Sequence, residues 1–459
     1  MAKSVNSSMK LIGRCASWVA VLGPLLTFPA TLSGAPKLDM DHTLWPPQVF
    51  DWSYVLLASP DEWAALDTLT GEARQRFLGV FWKRRDPTPT TTENEFLTQF
   101  EERVDFALTR FPVHSRPEPW DRRGEVYIRF GPPDDLIDSS FDAYYEKWYY
   151  FHLNLKFMFA GGVEGPRMVP FHEFSGQVQS LPDYYDDRRK MESEGVLYVP
   201  PLGELPLDVA LEWYPFRRAD GAYDVYFACA APAKALSRRN RQRSQSSFDY
   251  VARVVAFDSA LSVRWLDSVH VQETRTRTDD EGMSLHQWAT VLTPGLYVVA
   301  AELDDLQSPK RGASSFDRWL VPYDSTVELD LSPLVVASEI KSAGPESGTF
   351  VRNGKEIVPL PAHMFESGQD ASFYHEVYNL RRDTAGVCHY RVEYSVYAEK
   401  EKQGQSFYSG EHHSADRYSY QAGSIPAGVL PSGSYILEAR TTDLVAGITK
   451  TALTSFRID

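Results

Sequence analysis

Cysteine is nearly absent from this chain: three occur in 459 residues, with no C-x-x-C and no metal-finger spacing. That excludes a disulfide-stapled scaffold and a zinc ribbon. Excess basic charge is missing too. Lys and Arg number 47 against 62 Asp and Glu, a formal net charge of −15, which repels phosphate backbones and argues against any nucleic-acid partner. No G-x-S-x-G, H-E-x-x-H or P-loop pattern occurs, so no cofactor and no metal is expected. After residue 35 no long apolar run follows, so the rest of the chain is expected to be soluble or peripheral.

The first 35 residues stand apart. Lys3, Lys10 and Arg14 precede an apolar run from Ala16 to Leu32, and Ser33-Gly34-Ala35 follows. This is the order of a secretory signal peptide, residues 1–35. Pro24 and Pro29 interrupt the run and weaken a transmembrane reading, and the alternative is an uncleaved N-terminal anchor. Export places the chain in the periplasm or another extracytoplasmic part of the envelope. Of the cysteines, Cys229 and Cys388 then remain, read as buried free thiols in separate domains.

A composition of 43% apolar and 24% charged residues supports buried cores, and the length suits about three domains at roughly 150 residues each. Ser59-Pro60-Asp61-Glu62 combines an N-cap, a proline in the first turn and a capping-box glutamate. The helix it opens runs toward Trp82 with a break at Gly71, and Asp86-Pro87-Thr88-Pro89 ends it. A second helix is expected from Thr92, with Phe96, Phe100, Val104, Ala107 and Phe111 on one face. Val126, Ile128 and Phe130 then alternate, which reads as a strand over 125–130. Gly131-Pro132-Pro133-Asp134 is a turn, and strands follow at 146–151 and 153–159. Helices followed by strands give an α+β domain over 36–200.

From about 205, short strands divided by Gly, Pro and Asp read as all β. An internal repeat supports two similar units. Gly295/Gly433, Tyr297/Tyr435, Ala301/Ala439 and Asp305/Asp443 match at a constant offset of 138, a domain length. The expected architecture is therefore a multi-domain chain. An N-terminal α+β domain precedes two antiparallel, Ig-like β-sandwich domains, residues 201–325 and 326–459. Asn353-Gly354 signals a type I′ hairpin in the second.

Phe81-Trp82-Lys83-Arg84-Arg85-Asp86-Pro87-Thr88-Pro89, then Asn94-Glu95-Phe96 and Arg103-Val104, resemble the N-terminal half of the GWxTD domain. So do Trp120 to Ile128, Gly131-Pro132-Pro133-Asp134 and Glu146-Lys147-Trp148-Tyr149. The resemblance covers about residues 50–180. Pro119-Trp120-Asp121-Arg122-Arg123 keeps the tryptophan of the name-giving motif but not its glycine, threonine and aspartate. The resemblance implies a bacterial, exported protein with a domain of unassigned function, and it brings no reaction with it.

Several residues carry a functional and a structural reading. Arg85, Asp86 and Arg123 suit a carboxylate or anion pocket, or a buried Arg–Asp network at a helix-to-sheet junction; the network is the expectation. Asp134 suits a catalytic loop carboxylate or a turn cap. The aromatics of 141–151, with Trp148 among them, suit a sugar-stacking platform or a strand buried on both faces. Trp120 suits a recognition residue or a core indole. Arg238, Arg239, Arg241 and Arg243 suit peripheral contact with an anionic membrane or a solvated hairpin loop. His412 and His413 point to opposite faces of any strand, so a loop without metal is expected. The first functional hypothesis is a non-catalytic envelope protein that binds or scaffolds other envelope proteins through its sandwiches. Its rivals are an envelope hydrolase using Asp86 and Asp134, and a carbohydrate-binding protein.

Overall fold

Proline in the first turn and a capping box open one of the first helices of the chain, and the computed structural model shows both. It describes residues 47–91, 93–113, 117–139, 145–161, 166–172, 176–200, 205–240, 245–276, 282–322, 328–400 and 405–459, all within one unit of the chain, Lys37–Asp459. The leader reading, the domain join near 323–325, Phe141, Tyr144, Arg241 and Arg243 lie outside these residues.

The helical part comprises α1 (Pro47–Leu57), α2 (Pro60–Thr68), α3 (Gly71–Lys83), α4 (Glu95–Arg110), α5 (Arg122–Phe130) and, later, α6 (Leu181–Glu194). At α2 the Ser59 hydroxyl accepts from the Glu62 amide, and the Glu62 carboxylate accepts from the Ser59 amide at 2.9 Å. The break expected at Gly71 is the boundary between α2 and α3. The second long helix starts later than expected: Asn94, not Thr92, caps α4, its Oδ1 accepting from Leu97 N at 2.9 Å.

Residues 125–130 are a helix, not a strand. Asp121 caps α5 by accepting from Arg123 N at 2.8 Å, and Gly131, at φ 77°, closes it with an N–H to Tyr127 O at 2.8 Å. Gly124, Glu125, Val126, Ile128, Arg129 and Phe130 are all buried. A helix buried nearly all round has no polar face, so the alternation of Val126, Ile128 and Phe130 imitates a strand.

An antiparallel meander follows in the order β1 (Asp135–Ser139), β2 (Tyr145–Tyr150), β3 (Leu155–Ala160) and β4 (Arg167–Val169). Helices and meander share one core, with Trp82, Phe100, Val126, Trp148 and Phe159 at 2% exposure or less.

The rest of the chain is β-rich. Its first half contains β5 (Leu205–Pro206), β6 (Ala210–Arg217), β7 (Tyr223–Pro232), the short α7 (Ala233–Leu236), β8 (Arg238–Asn240), β9 (Gln245–Asp258), β10 (Val263–Thr276), β11 (Met283–Leu292), β12 (Gly295–Asp305) and β13 (Lys310–Leu320). The second contains β14 (Asp330–Leu331), β15 (Val335–Ser342), β16 (Val351–Arg352), β17 (Lys355–Pro359), β18 (Met364–Phe365), β19 (Ala371–Tyr378), β20 (Cys388–Ala398), β21 (Gln405–Ser414), β22 (Tyr418–Ile425), β23 (Gly433–Asp443) and β24 (Ile448–Ile458). In the first half the sheet β10-β9-β12-β13-β5 packs against β11-β7-β6; in the second, β18-β24-β23-β20-β21 packs against the sheet that holds β15, β19 and β22.

The repeat extends well beyond the matched residues. The pairings β7·β11, β9·β10, β9·β12 and β12·β13 recur as β19·β22, β20·β21, β20·β23 and β23·β24. Even the short parallel partner of the last strand recurs, β5 on β13 and β18 on β24. Tyr297 and Tyr435 sit at the third position of equivalent strands, each donating its hydroxyl to the carbonyl four residues back, at 2.9 and 2.8 Å. Asp305 and Asp443 end those strands and each accepts from the amide two residues on, both at 2.9 Å. Cys229 and Cys388 are free and buried.

Two further apolar clusters join the parts. Tyr214, Phe216 and Ala228, on the outer face of β6 and β7, pack on Val335, Phe350, Ile357 and Tyr374 of the second half. Val80 of α3 packs on Val255, Phe257, Val298 and Ala300 of the first.

One core residue makes the second half sensitive to acid. His375 on β19 is fully buried, its Nδ1 is 3.5 Å from the Tyr394 hydroxyl, and its Nε2 has no hydrogen-bond partner among the described residues. Burial pushes the imidazole down to about 4. The folded-state value lies below the ordinary one near 6.5, so this contribution is intact above that pH and is lost as pH falls toward 4. At about 1.4 kcal/mol per unit, the loss on acidification is on the order of 3 kcal/mol. Urea unfolding at neutral and at acidic pH, compared between the wild type and His375→Leu, measures it. The variant is expected to lose less stability on acidification, and parallel losses would rule the histidine out.

Candidate functional site

The residues singled out in the sequence fall into three separate networks. At the end of α3, Arg85 donates to Glu62 at 2.7 Å and to Phe81 O at 3.1 Å, with its guanidinium over the Phe81 ring. Asp86 is buried, accepting from Lys83 Nζ at 2.7 Å and from Thr88 N at 2.9 Å. Burial raises its carboxyl above the usual range, with Lys83 opposing. The neighbouring segment docks on the first β half. Arg84 pairs with Asp317, its carbonyl accepts from Ser315 Oγ at 3.1 Å, and Thr90 Oγ1 donates to buried Glu302 at 2.6 Å. Burial raises the Glu302 carboxyl; Thr90 and Arg253 counter this only in part.

The second network joins α5 to the meander. Arg123 clasps Asp121 through Nε (3.1 Å) and Nη2 (2.7 Å) and donates through Nη1 to Glu146 at 2.8 Å. The other oxygen of Glu146 accepts from Trp148 Nε1 at 3.0 Å. The Arg123 guanidinium lies 4.6 Å from the centre of the Phe111 ring. Trp120 stands beside this network, 6% exposed, against Gly124 of α5.

Asp134 is elsewhere, partly exposed, accepting from Phe151 N at 2.6 Å and contacting His152 Nδ1 at 3.1 Å. These bonds hold its carboxyl below the usual range although burial works the other way. Asp86 and Asp134 thus belong to different networks. The aromatic segment divides by face: Trp148 and Tyr150 are core, whereas Phe151 is 65% exposed, its ring 5.7 Å from that of Tyr149 at 24°.

Arg238 is exposed but belongs to β8, paired with β9, so the basic run begins on a strand rather than in a loop. His412 and His413 also lie on a strand, β21. They face opposite ways: His412 stacks on Tyr390, while His413 Nδ1 is 2.8 Å from His389 Nδ1. Among the described residues no group of three or more His, Cys, Asp or Glu is placed to hold a metal.

One crevice was not among the sequence candidates. It opens at the seam between the two β halves, about 470 Å³ in volume, and is lined by Arg217 and Arg218 from the first half and by Arg352, Asn353, Arg417 and Tyr418 from the second. Behind it Glu376 is fully buried. It receives Arg352 Nε at 2.9 Å and Nη2 at 3.0 Å, the Tyr374 hydroxyl at 2.9 Å and the Tyr378 hydroxyl at 2.7 Å. Burial would lower the Arg352 guanidinium, but the Glu376 carboxylate raises it instead; burial and then Glu376 push Tyr418 up to about 12. Arg352 Nη1 reaches back to Asp224 at 2.7 Å, and Arg217 pairs with Asp330, so ion pairs cross the seam both ways. Asn353 is the first residue of the expected two-residue turn, with φ 50° and Gly354 at 70°.

The sequence matches no family model and no curated protein. Solved structures align over part of it. A red sea bream transglutaminase is 9% identical over 66% of this chain and 37% of its own, with a TM-score of 0.16. An Escherichia coli α2-macroglobulin activated by porcine elastase is 12% identical over 66% of this chain and 24% of its own, with a TM-score of 0.17. In the trypsin-activated form the figures are 12%, 66%, 18% and 0.17. This chain spans well under half the length of these structures, and superpositions so loose carry no functional argument. Among the described residues no helix is long and apolar enough to cross a membrane.

Proposed function

We propose that the chain is an exported, non-catalytic protein of the GWxTD type that binds or scaffolds other envelope proteins. In this reading residues 36–200 form the GWxTD-like domain, and 201–325 and 326–459 are Ig-like sandwiches that serve as interaction modules. The observation that carries it is the use made of the polar motif residues. Arg85 bonds to Glu62 and the backbone, Asp86 to Lys83 and the backbone, and Arg123 to Asp121 and Glu146, while Arg84 and Thr90 bond to the neighbouring β half. A hydrolase would need such carboxylates to converge on an open cleft, whereas Asp86 is buried against Lys83. Among the described residues the carbohydrate reading draws on Tyr145, Tyr149 and Phe151, since Trp148 and Tyr150 are core.

Fractionation of the native host, N-terminal sequencing and in-cell crosslinking test this proposal together. The expected result is a mature start near residue 36, an envelope location and reproducible crosslinks to envelope proteins. An intact Met1 in the cytoplasmic fraction overturns the localisation. A hydrolytic activity abolished by Asp86→Asn or Asp134→Asn overturns the non-catalytic assignment.

A further inference from the structure

We infer that the crevice at the seam of the two β halves is a binding site for a small oxyanion carrying two or more acidic oxygens, a dicarboxylate or tricarboxylate or a phosphate. This inference is independent of the envelope reading, since the crevice binds such a ligand or fails to in any compartment.

The first argument is the sign of the lining. The whole chain carries a formal charge of −15, yet the crevice is lined by Arg217, Arg218, Arg352 and Arg417 and by no Asp or Glu. The acids that balance Arg352, Arg217 and Arg218, namely Glu376, Asp224, Asp330 and Asp220, stand outside the lining. A concave site of one sign with low-dielectric walls concentrates the opposite charge. Among the described residues no carboxylate pairs with Arg417; its Nε donates to Leu380 O at 3.1 Å. Arg352 makes one bond from each of its three nitrogens to the acids behind it, and a guanidinium has five N–H donors. Planar guanidinium forks suit carboxylate and phosphate oxygens better than a point charge does.

The second argument is rigidity. Asn353 and Asn379 both line the crevice, and both hold left-handed backbone, at φ 50° and 63°. Such residues are uncommon and persist where the surroundings fix them. Asn353 Nδ2 is tied to the Tyr374 hydroxyl at 2.6 Å and to Glu376 at 3.2 Å. The Arg217 guanidinium lies 5.4 Å from the centre of the Tyr378 ring. A lining fixed before the ligand arrives avoids much of the ordering cost of binding. The volume, about 470 Å³, falls in the range of small-molecule sites.

Isothermal titration of the full chain at low ionic strength, with citrate and separately with inorganic phosphate, tests the inference; glucose serves as a neutral control. The expected result is saturable binding of citrate, phosphate or both, with one equivalent bound and none of glucose. Binding should weaken about tenfold or more in Arg417→Gln and in Arg218→Gln, each removing one charged donor. Neither side chain bonds to Glu376, though Arg218 shares Asp224 with Arg352, so an unchanged thermal midpoint identifies a binding defect and not misfolding. The relative affinities of citrate and phosphate assign the ligand to the carboxylates or the phosphates. No saturable binding of either anion, or binding unchanged in both variants, overturns the inference.

Discussion

Arg352→Ala is expected to destabilise the second β half by about 3–5 kcal/mol, the range for removing one partner of a buried ion pair. Glu376 is fully buried, and Arg352 holds it with two charged hydrogen bonds, at 2.9 and 3.0 Å. Taking the guanidinium away leaves a buried carboxylate whose desolvation is offset by the neutral donors of Tyr374, Tyr378 and Asn353 without this cation, and it also breaks the tie to Asp224 across the seam. The converse change, Glu376→Leu, strands the guanidinium but leaves it an exit to solvent, since 15% of the Arg352 side chain is exposed; its cost should be smaller. The double variant Arg352→Met/Glu376→Leu should recover most of the loss, because apolar replacement of a whole buried pair is often close to neutral. Urea midpoints for the single and double variants measure the coupling as a cycle. A loss below about 1 kcal/mol for Arg352→Ala would place this pair with ordinary surface ion pairs and sink the argument.

Legibility in the sequence followed the range of the interaction. Caps, turns and breaks depend on a few adjacent residues, and Ser59, Gly71, Gly131 and Asn353-Gly354 each mark a boundary in the fold. The duplicated β unit was legible through one strand, where Gly, Tyr and Asp each carry a local bond that constrains residue type. Period counting failed at α5, where burial on all sides erases the polar face, although Asp121 and Gly131 already carried helix start and stop signals. The Arg84-Arg85-Asp86 motif was read as an arginine–aspartate network, but its residues pair outside it, Arg85 with Glu62 and Asp86 with Lys83. Arg84 finds Asp317 and Thr90 finds Glu302 from more than 200 residues away, 212 for the latter. The seam crevice was invisible for the same reason. Arg217 and Tyr378 meet across 161 residues, and each contributing segment, taken alone, is an unremarkable turn with a cation.

Trp120→Ala is expected to lower the stability of the helical part by roughly 3–5 kcal/mol, the cost of truncating a large aromatic in a core. Trp120 is 6% exposed and belongs to the cluster that includes Trp82, Phe111, Val126 and Trp148. Its side chain lies directly on α5: a Cβ added at Gly124 would come within 2.6 Å of Trp120 Cβ and 2.7 Å of its Cγ. Glycine at 124 is therefore a steric requirement of the indole, even though it sits inside a helix where alanine is intrinsically better by up to about 1 kcal/mol. Gly124→Ala tests the same contact from the other side. It should destabilise by about 1–3 kcal/mol through overpacking, against its own helix propensity. In a Trp120→Gly background, where the ring and the Cβ that stands 2.6 Å away are both gone, adding Gly124→Ala should instead be neutral or stabilising. Helical circular dichroism followed through urea unfolding of the full chain reports the effect, because among the described residues all the helices but short α7 precede residue 195. A Gly124→Ala penalty of the same size with and without Trp120 would show that the contact does not hold α5 in place. An unchanged midpoint in Trp120→Ala, combined with loss of a crosslinked partner, would make this tryptophan a recognition residue.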